Sequence, residues 1–171
     1  MGAKELKFKP KKKLTIEMVP RTCWMSNVRS CVSEQTWDTI RKDCYRKAGN
    51  VCEICGGVGS RWPVECHEIW DYNDRARTQT LVNMIALCPS CHEVKHIGLA
   101  GVRGRLSIAL AHLAKVNCWD RKTAEKYLRE ARDIWEERSD HEWALDLSFL
   151  DKLGVKYKSD RQELSDEQEE T

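Results

Sequence analysis

Two Cys-x-x-Cys pairs, Cys52–Cys55 and Cys88–Cys91, stand 32 residues apart. Two residues between cysteines let both sulfurs turn toward one ion, and Gly56-Gly57 after the first pair suits the tight knuckle this requires. Four thiolates complete the tetrahedral shell of a structural zinc. One pair alone would suit a redox dithiol as well; two pairs at this distance point to zinc. Such a site supplies roughly 10–16 kcal/mol to the folding of a small zinc module, and a segment this short and loop-rich needs it. Three histidines accompany the pairs: His67 between them, His92 directly after Cys91, and His96 four residues further. On a helix His92 and His96 share a face and can ligate one ion.

The surrounding elements must position these groups. Ser33 can cap a helix that runs to Ala48, with Trp37, Ile40, Cys44 and Tyr45 on one apolar stripe and Gly49-Asn50 as its stop. Residues 51 to 88 are broken by glycines and Pro63. Within them Val64 to Trp70 reads as a strand, and Leu81 to Leu87 is an apolar run whose type periodicity does not settle. Pro89 opens a helix to about Ile97, ended by Gly98. Leu106–Val116 and Thr123–Arg138 carry apolar residues at helical spacing. Trp143–Leu150 suits either a strand or a short helix.

The run Cys52-x-x-Cys55, Glu65-Cys66-His67-Glu68-Ile69, Asn83, Leu87-Cys88-Pro89-Ser90-Cys91-His92 and Lys95-His96 resembles the HNH endonucleases in order and spacing. The resemblance covers about residues 45 to 98. It implies an α+β fold: a small zinc-stabilised ββα-metal finger, treble-clef-like, flanked by helices. It implies metal-dependent hydrolysis of phosphodiester bonds in DNA, by nicking or, as a dimer, by double-strand cleavage. His67 would be the general base, Asn83 would orient it or fix the loop, and His92 would complete the catalytic set. The catalytic divalent cation (Mg2+, Mn2+, Ni2+ or Zn2+) would be held by Cys66, His92 and His96. At position 66 the family usually has Asp or His. Thiolate is a soft ligand that favours zinc, so three readings follow. Cys66 binds a softer ion; or it is packed, with Glu65, Glu68, Asp71 or water filling the shell; or the site kept the fold and lost catalysis. A regular strand would also point Cys66 and His67 to opposite faces.

Arg61, Arg75, Arg77, Lys95, Arg103 and Arg105 surround the motif and could contact phosphates; a solvated charged face explains each equally well. Trp62, Trp70 and Tyr72 could stack on bases or fill the finger's core. Cys23, Cys31, Cys44 and Cys118 lack metal spacing and read as buried or incidental thiols.

The chain has 171 residues, 41% of them hydrophobic, with 29 Lys+Arg against 27 Asp+Glu. No apolar stretch reaches the ~18 residues of a membrane span, and no apolar run follows the basic N-terminus, so no secretory signal is expected. Nine cysteines, an odd number, also argue against a full disulfide framework. A cytoplasmic setting in a bacterium or phage-infected cell follows from the resemblance. Residues 1 to 13 carry six Lys and one Glu; residues 159 to 171 carry six acids and one Arg. The expected organisation is a disordered basic arm at 1–20 and a single domain at 21–150. Within it the finger spans 49–98 and a helical part 102–150. An acidic disordered tail follows at 151–171. Expected partners are nucleic acid, DNA first, and a second copy or another protein through the C-terminal helices. The alternatives to a nuclease are a catalytically silent zinc module that binds nucleic acid, and an interaction protein built on the same scaffold.

Overall fold

In a computed structural model, residues 13–158 are described. The fold is α+β: a three-stranded mixed sheet with helices packed against both of its faces. After a 3₁₀ turn at Arg21–Cys23 come α1 (Val28–Cys31) and α2 (Glu34–Lys47). The hairpin β1 (Glu65–Asn73) and β2 (Thr78–Leu87) leads directly into α3 (Pro89–Lys95) and α4 (Ile97–Val102). The longer helices α5 (Leu106–Asn117) and α6 (Arg121–Ser139) follow, then β3 (Ala144–Asp146) and a second 3₁₀ turn at Ser148–Leu153. No helix among the described residues is long and apolar enough to cross a membrane.

Local chemistry explains these elements. The Ser33 hydroxyl accepts the Thr36 amide at 3.1 Å and caps α2, with Glu34 in the first turn and Arg46 and Lys47 in the last; both charge placements oppose the helix dipole. Asp120 caps α6 through the Thr123 amide at 2.7 Å. The hairpin turns on Asn73, whose side-chain oxygen accepts the Arg75 and Ala76 amides at 3.1 and 2.9 Å. β1 and β2 pair antiparallel with a register shift between Ile69 and Trp70. β3 joins β2 in parallel, which settles the ambiguous 143–150 segment as a short strand followed by a turn.

Two apolar clusters lie on either side of the hairpin. One gathers Leu87, Val94, Ile97, Leu113 and Tyr127 beneath α3, α5 and α6. The other gathers Val28, Ile40, Leu81, Leu147 and Leu150 beneath α1 and α2. The finger is thus one layer of a larger packed unit.

Three expectations need correction. Residues 13–20, expected as part of a disordered arm, form an ordered strap. Leu14 is fully buried, Ile16 nearly so, and Asn117 clamps the backbone: its Oδ1 accepts the Leu14 amide at 2.9 Å and its Nδ2 donates to the Leu14 carbonyl at 2.8 Å. The Tyr127 hydroxyl adds a bond from the Ile16 amide at 3.2 Å. The alternation Leu14-x-Ile16 that permits this is too short to stand out beside six lysines. Residues 151–158, expected as acidic tail, pack Val155 and Tyr157 against the second cluster. Gly98 does not end the helix after Pro89. The chain kinks at His96 (φ −99°, ψ 42°) and resumes as α4 with Gly98 inside it. The expected disorder of residues 1–12 and 159–171 lies outside the described residues.

Asn117→Ala should destabilise the fold by about 1–3 kcal/mol, because it strands the buried backbone groups of Leu14. Leu14→Ala should cost about 2–5 kcal/mol as a core truncation. Denaturant midpoints check both, and a Leu14→Ala midpoint equal to wild type would mean that the strap is not packed in solution.

Candidate metal centres and groove

The first cluster is built by the two knuckles. Gly56 takes φ +73°, the left-handed region, which lets the chain reverse behind Cys55. Amides then turn onto the sulfurs: Cys55 N–H lies 3.5 Å from Cys52 Sγ and Gly57 N–H 3.4 Å from Cys55 Sγ. Gly59 is required by close approach, since a Cβ there would lie 2.7 Å from the Pro89 ring at the start of α3. This contact brings the first knuckle onto the second. Cys52, Cys55, Cys88 and Cys91 converge with all four sulfurs within 4.8 Å of one another. The Cys55–Cys88 sulfur separation is 3.6 Å, close to the ~3.8 Å edge of a tetrahedron with 2.3 Å zinc–sulfur bonds. Burial and neighbouring thiols push the Cys88 thiol up to about 11. Cys52 is also buried, but amide donors bring it down to about 7. A divalent cation among four sulfurs would favour the thiolate throughout. The donor set and spacing suit a structural zinc.

The second cluster is made of histidines. β1 presents His67, and α3 presents His92 and, at its kinked end, His96. Their ring nitrogens lie within 4.8 Å of one another. The rings meet edge to face, with centroids 5.3 Å (67–92), 5.1 Å (67–96) and 4.7 Å (92–96) apart. α3 keeps the i,i+4 pair aligned through the His96 amide, which donates to the His92 carbonyl at 3.1 Å. Burial lowers the His67 pKa below its ordinary value. Burial, then the charges of His92 and His67, brings His96 down to about 3. Neutral imidazole is the form that binds a metal.

Two of these rings are held from behind by carboxylates. His67 Nε2 lies 2.9 Å from Glu17 Oε2, and His92 Nδ1 lies 2.7 Å from Glu65 Oε2. Each bond occupies one ring nitrogen and leaves the other, His67 Nδ1 and His92 Nε2, as the available donor. A carboxylate behind the ring is the usual second partner of a metal-binding histidine. The three nitrogens therefore fit a divalent ion such as zinc, with room for further ligands. His92 and His96 open onto a surface groove of about 320 Å³ whose walls include Trp62, Glu65, Leu99, Arg103 and Arg105.

The structure redistributes the expected site residues. Cys66 is not part of the histidine cluster. It lies on the opposite face of β1, where its free thiol faces the free thiol of Cys44 on α2, because successive strand residues alternate sides. His67 takes the place expected of Cys66. Asn83 is exposed on β2, and its Oδ1 accepts the Met84 amide at 2.9 Å; it belongs to neither cluster. Among the expected phosphate contacts, Lys95 is only 3% exposed and pairs with Glu17. Arg75 and Arg77 sit at the hairpin turn, with Arg77 stacked on Trp143. Arg103 and Arg105 do line the groove, the latter paired with Glu93 at 2.5 Å, and Arg61 lies over the Trp62 ring. The aromatic residues divide: Trp62 is exposed at the groove, whereas Trp70 packs against the second cluster and Tyr72 packs on Trp143. Cys118, read as buried or incidental, is exposed.

Two groups carried no signal in the sequence. Glu17 follows a lysine-rich stretch and belongs to no motif. His112 on α5 places Nε2 3.2 Å from Cys91 Sγ, which ties the C-terminal helices to the sulfur cluster. Comparison with protein-family models, curated proteins and solved structures finds no match.

Cys52→Ser should lose about one zinc per chain and its cooperative melting transition, whereas His67→Ala should keep the zinc at the cysteines and the transition. Metal analysis alongside thermal melting checks this. A normal transition in zinc-free Cys52→Ser would exclude a structural role for the sulfur cluster.

Proposed function

We propose that the chain is a metal-dependent phosphodiesterase of the HNH type that acts on nucleic acid, with DNA as the substrate. The observation that carries this reading is the three-histidine cluster opening onto the Arg103 and Arg105 groove. It sits on a hairpin–helix unit whose ends are joined by four cysteines. In this reading His67, His92 and His96 hold the ion, and Glu65 fixes the His92 ring with Nε2 toward it. A divalent ion held there would polarise a phosphoryl oxygen and acidify a bound water, to about 7 for zinc. That chemistry takes over the proton removal expected of His67, which is left with one free nitrogen and serves as a ligand.

The groove supplies the remaining groups. Arg103 offers a guanidinium to a phosphate backbone. The exposed Trp62 ring, flanked by Arg61, offers a face on which a displaced base could stack. Cys66 no longer argues for a silent site, since a thiol on the far face of the strand has no part in the ion's shell. The nicking of one strand per encounter is the expected outcome for a single centre.

The test is relaxation of supercoiled plasmid by the wild type, His92→Ala and Cys66→Ser, each with Mg2+, Mn2+, Ni2+ or Zn2+. Wild type and Cys66→Ser should nick. His92→Ala should lose more than the ~10–100-fold that removal of an outer partner costs. Absence of nicking with every metal, while plasmid binding persists and weakens with salt, would overturn the nuclease and leave a silent nucleic-acid module.

A further inference from the structure

Glu17 and Lys95 are the charged pair that the nuclease reading does not use, and both lie behind the histidine cluster. Lys95 is 3% exposed and its ammonium donates to Glu17 Oε1 and, at 2.7 Å, to Thr15 Oγ1. The other oxygen of Glu17 faces His67 Nε2 at 2.9 Å. Two donors, an ammonium and a ring N–H, thus meet the two oxygens of one carboxylate. The carboxylate arrives on the strap, whose neighbouring residues are held by Asn117 at the end of α5 and Tyr127 in α6. The Glu17 amide itself bonds to the Lys95 carbonyl at 3.3 Å. These bonds span 50 to 111 residues of sequence.

We propose that Glu17 is the positioning residue of the histidine cluster, holding His67 as the Nε2–H tautomer so that Nδ1 is left to bind the ion. The proposal rests on reading that cluster as a metal centre. It makes the strap and the helices that clamp it working parts of the centre, so that the zinc finger is not sufficient alone. Lys95 neutralises the buried carboxylate and takes its second oxygen, which leaves His67 a single acceptor.

The substitution Glu17→Gln separates this role from simple packing. Glutamine has one oxygen for two donors. The ammonium of Lys95 keeps that oxygen, and the amide NH2 then faces His67 Nε2, which must accept. The proton moves to Nδ1, the atom required for the ion. A Glu17→Leu, Lys95→Met double variant removes the acceptor of His67 and the buried cation together, and so tests whether any loss is merely destabilisation.

The measurement is a Co2+ titration of full-length protein with zinc retained at the cysteines, followed by d–d absorption without thiolate charge transfer. Histidine 15N–1H correlation spectra of the cobalt-free samples accompany it. Expected are His67 as the Nε2–H tautomer in wild type, the Nδ1–H tautomer in Glu17→Gln, and Co2+ binding weakened about 10–100-fold. Weakened binding should persist in a double variant that melts like wild type. Binding within about twofold of wild type in a folded Glu17→Gln protein, or full recovery in the double variant, would overturn the proposal. Uptake of no Co2+ by wild type would overturn it together with the metal-centre reading. Normal Co2+ uptake without nicking would count against the nuclease alone.

Discussion

Cys52 and Cys55 precede the β-hairpin, and Cys88 and Cys91 follow it. Gathering their sulfurs therefore closes the hairpin onto the first turn of α3, and every other contact of the site depends on that closure. The strand carrying His67 and the helix carrying His92 and His96 are brought together by it. Apolar burial alone offers little here, because residues 51–63 contribute glycines and exposed side chains. An ion held by these four cysteines would be directional and strong enough to replace a core at this point. The apolar clusters then build outward from the joined unit, and Cys52, Cys88 and Cys91 are themselves buried members of the first.

The pleat of β1 decides which groups meet. Cys66 and His67 are adjacent in sequence and opposite in space: one meets Cys44 of α2, the other meets the imidazoles of α3. Glu68 returns to the α1–α2 face and accepts the Val28 amide at 3.0 Å. The departure at position 66 thus falls where a soft thiol side chain is packed rather than in the histidine cluster. The same alternation leaves His67 almost fully buried, with its outer nitrogen available to a carboxylate from another part of the chain.

The C-terminal helices contain no motif of their own, yet they reach the sulfur cluster directly and the histidine cluster through the strap. His112 reaches Cys91, while Asn117 and Tyr127 hold the strap that delivers Glu17. Lys95 shows how context reverses an expectation. A lysine between two histidines of the motif reads as a phosphate contact, but burial beside a carboxylate makes it an internal counter-ion. Arg103 and Arg105 stay at the surface because they sit in the turn between α4 and α5.

Local chemistry was legible along the chain. The two cysteine pairs, the i,i+4 histidines, the cap at Ser33 and the amphipathic α6 are all encoded within a few residues, so spacing alone reveals them. The ambiguous runs at 81–87 and 143–150 depended on pairing partners, since a strand is stable only when another strand accepts its hydrogen bonds. The replacement of Cys66 by His67 in the cluster needed the strand's orientation, which is set by which helix covers which face. Glu17 was hidden entirely. Its partners lie 50 and 78 residues away, and only the folded packing of strap, α3, α5 and α6 gives a buried carboxylate a reason to be there.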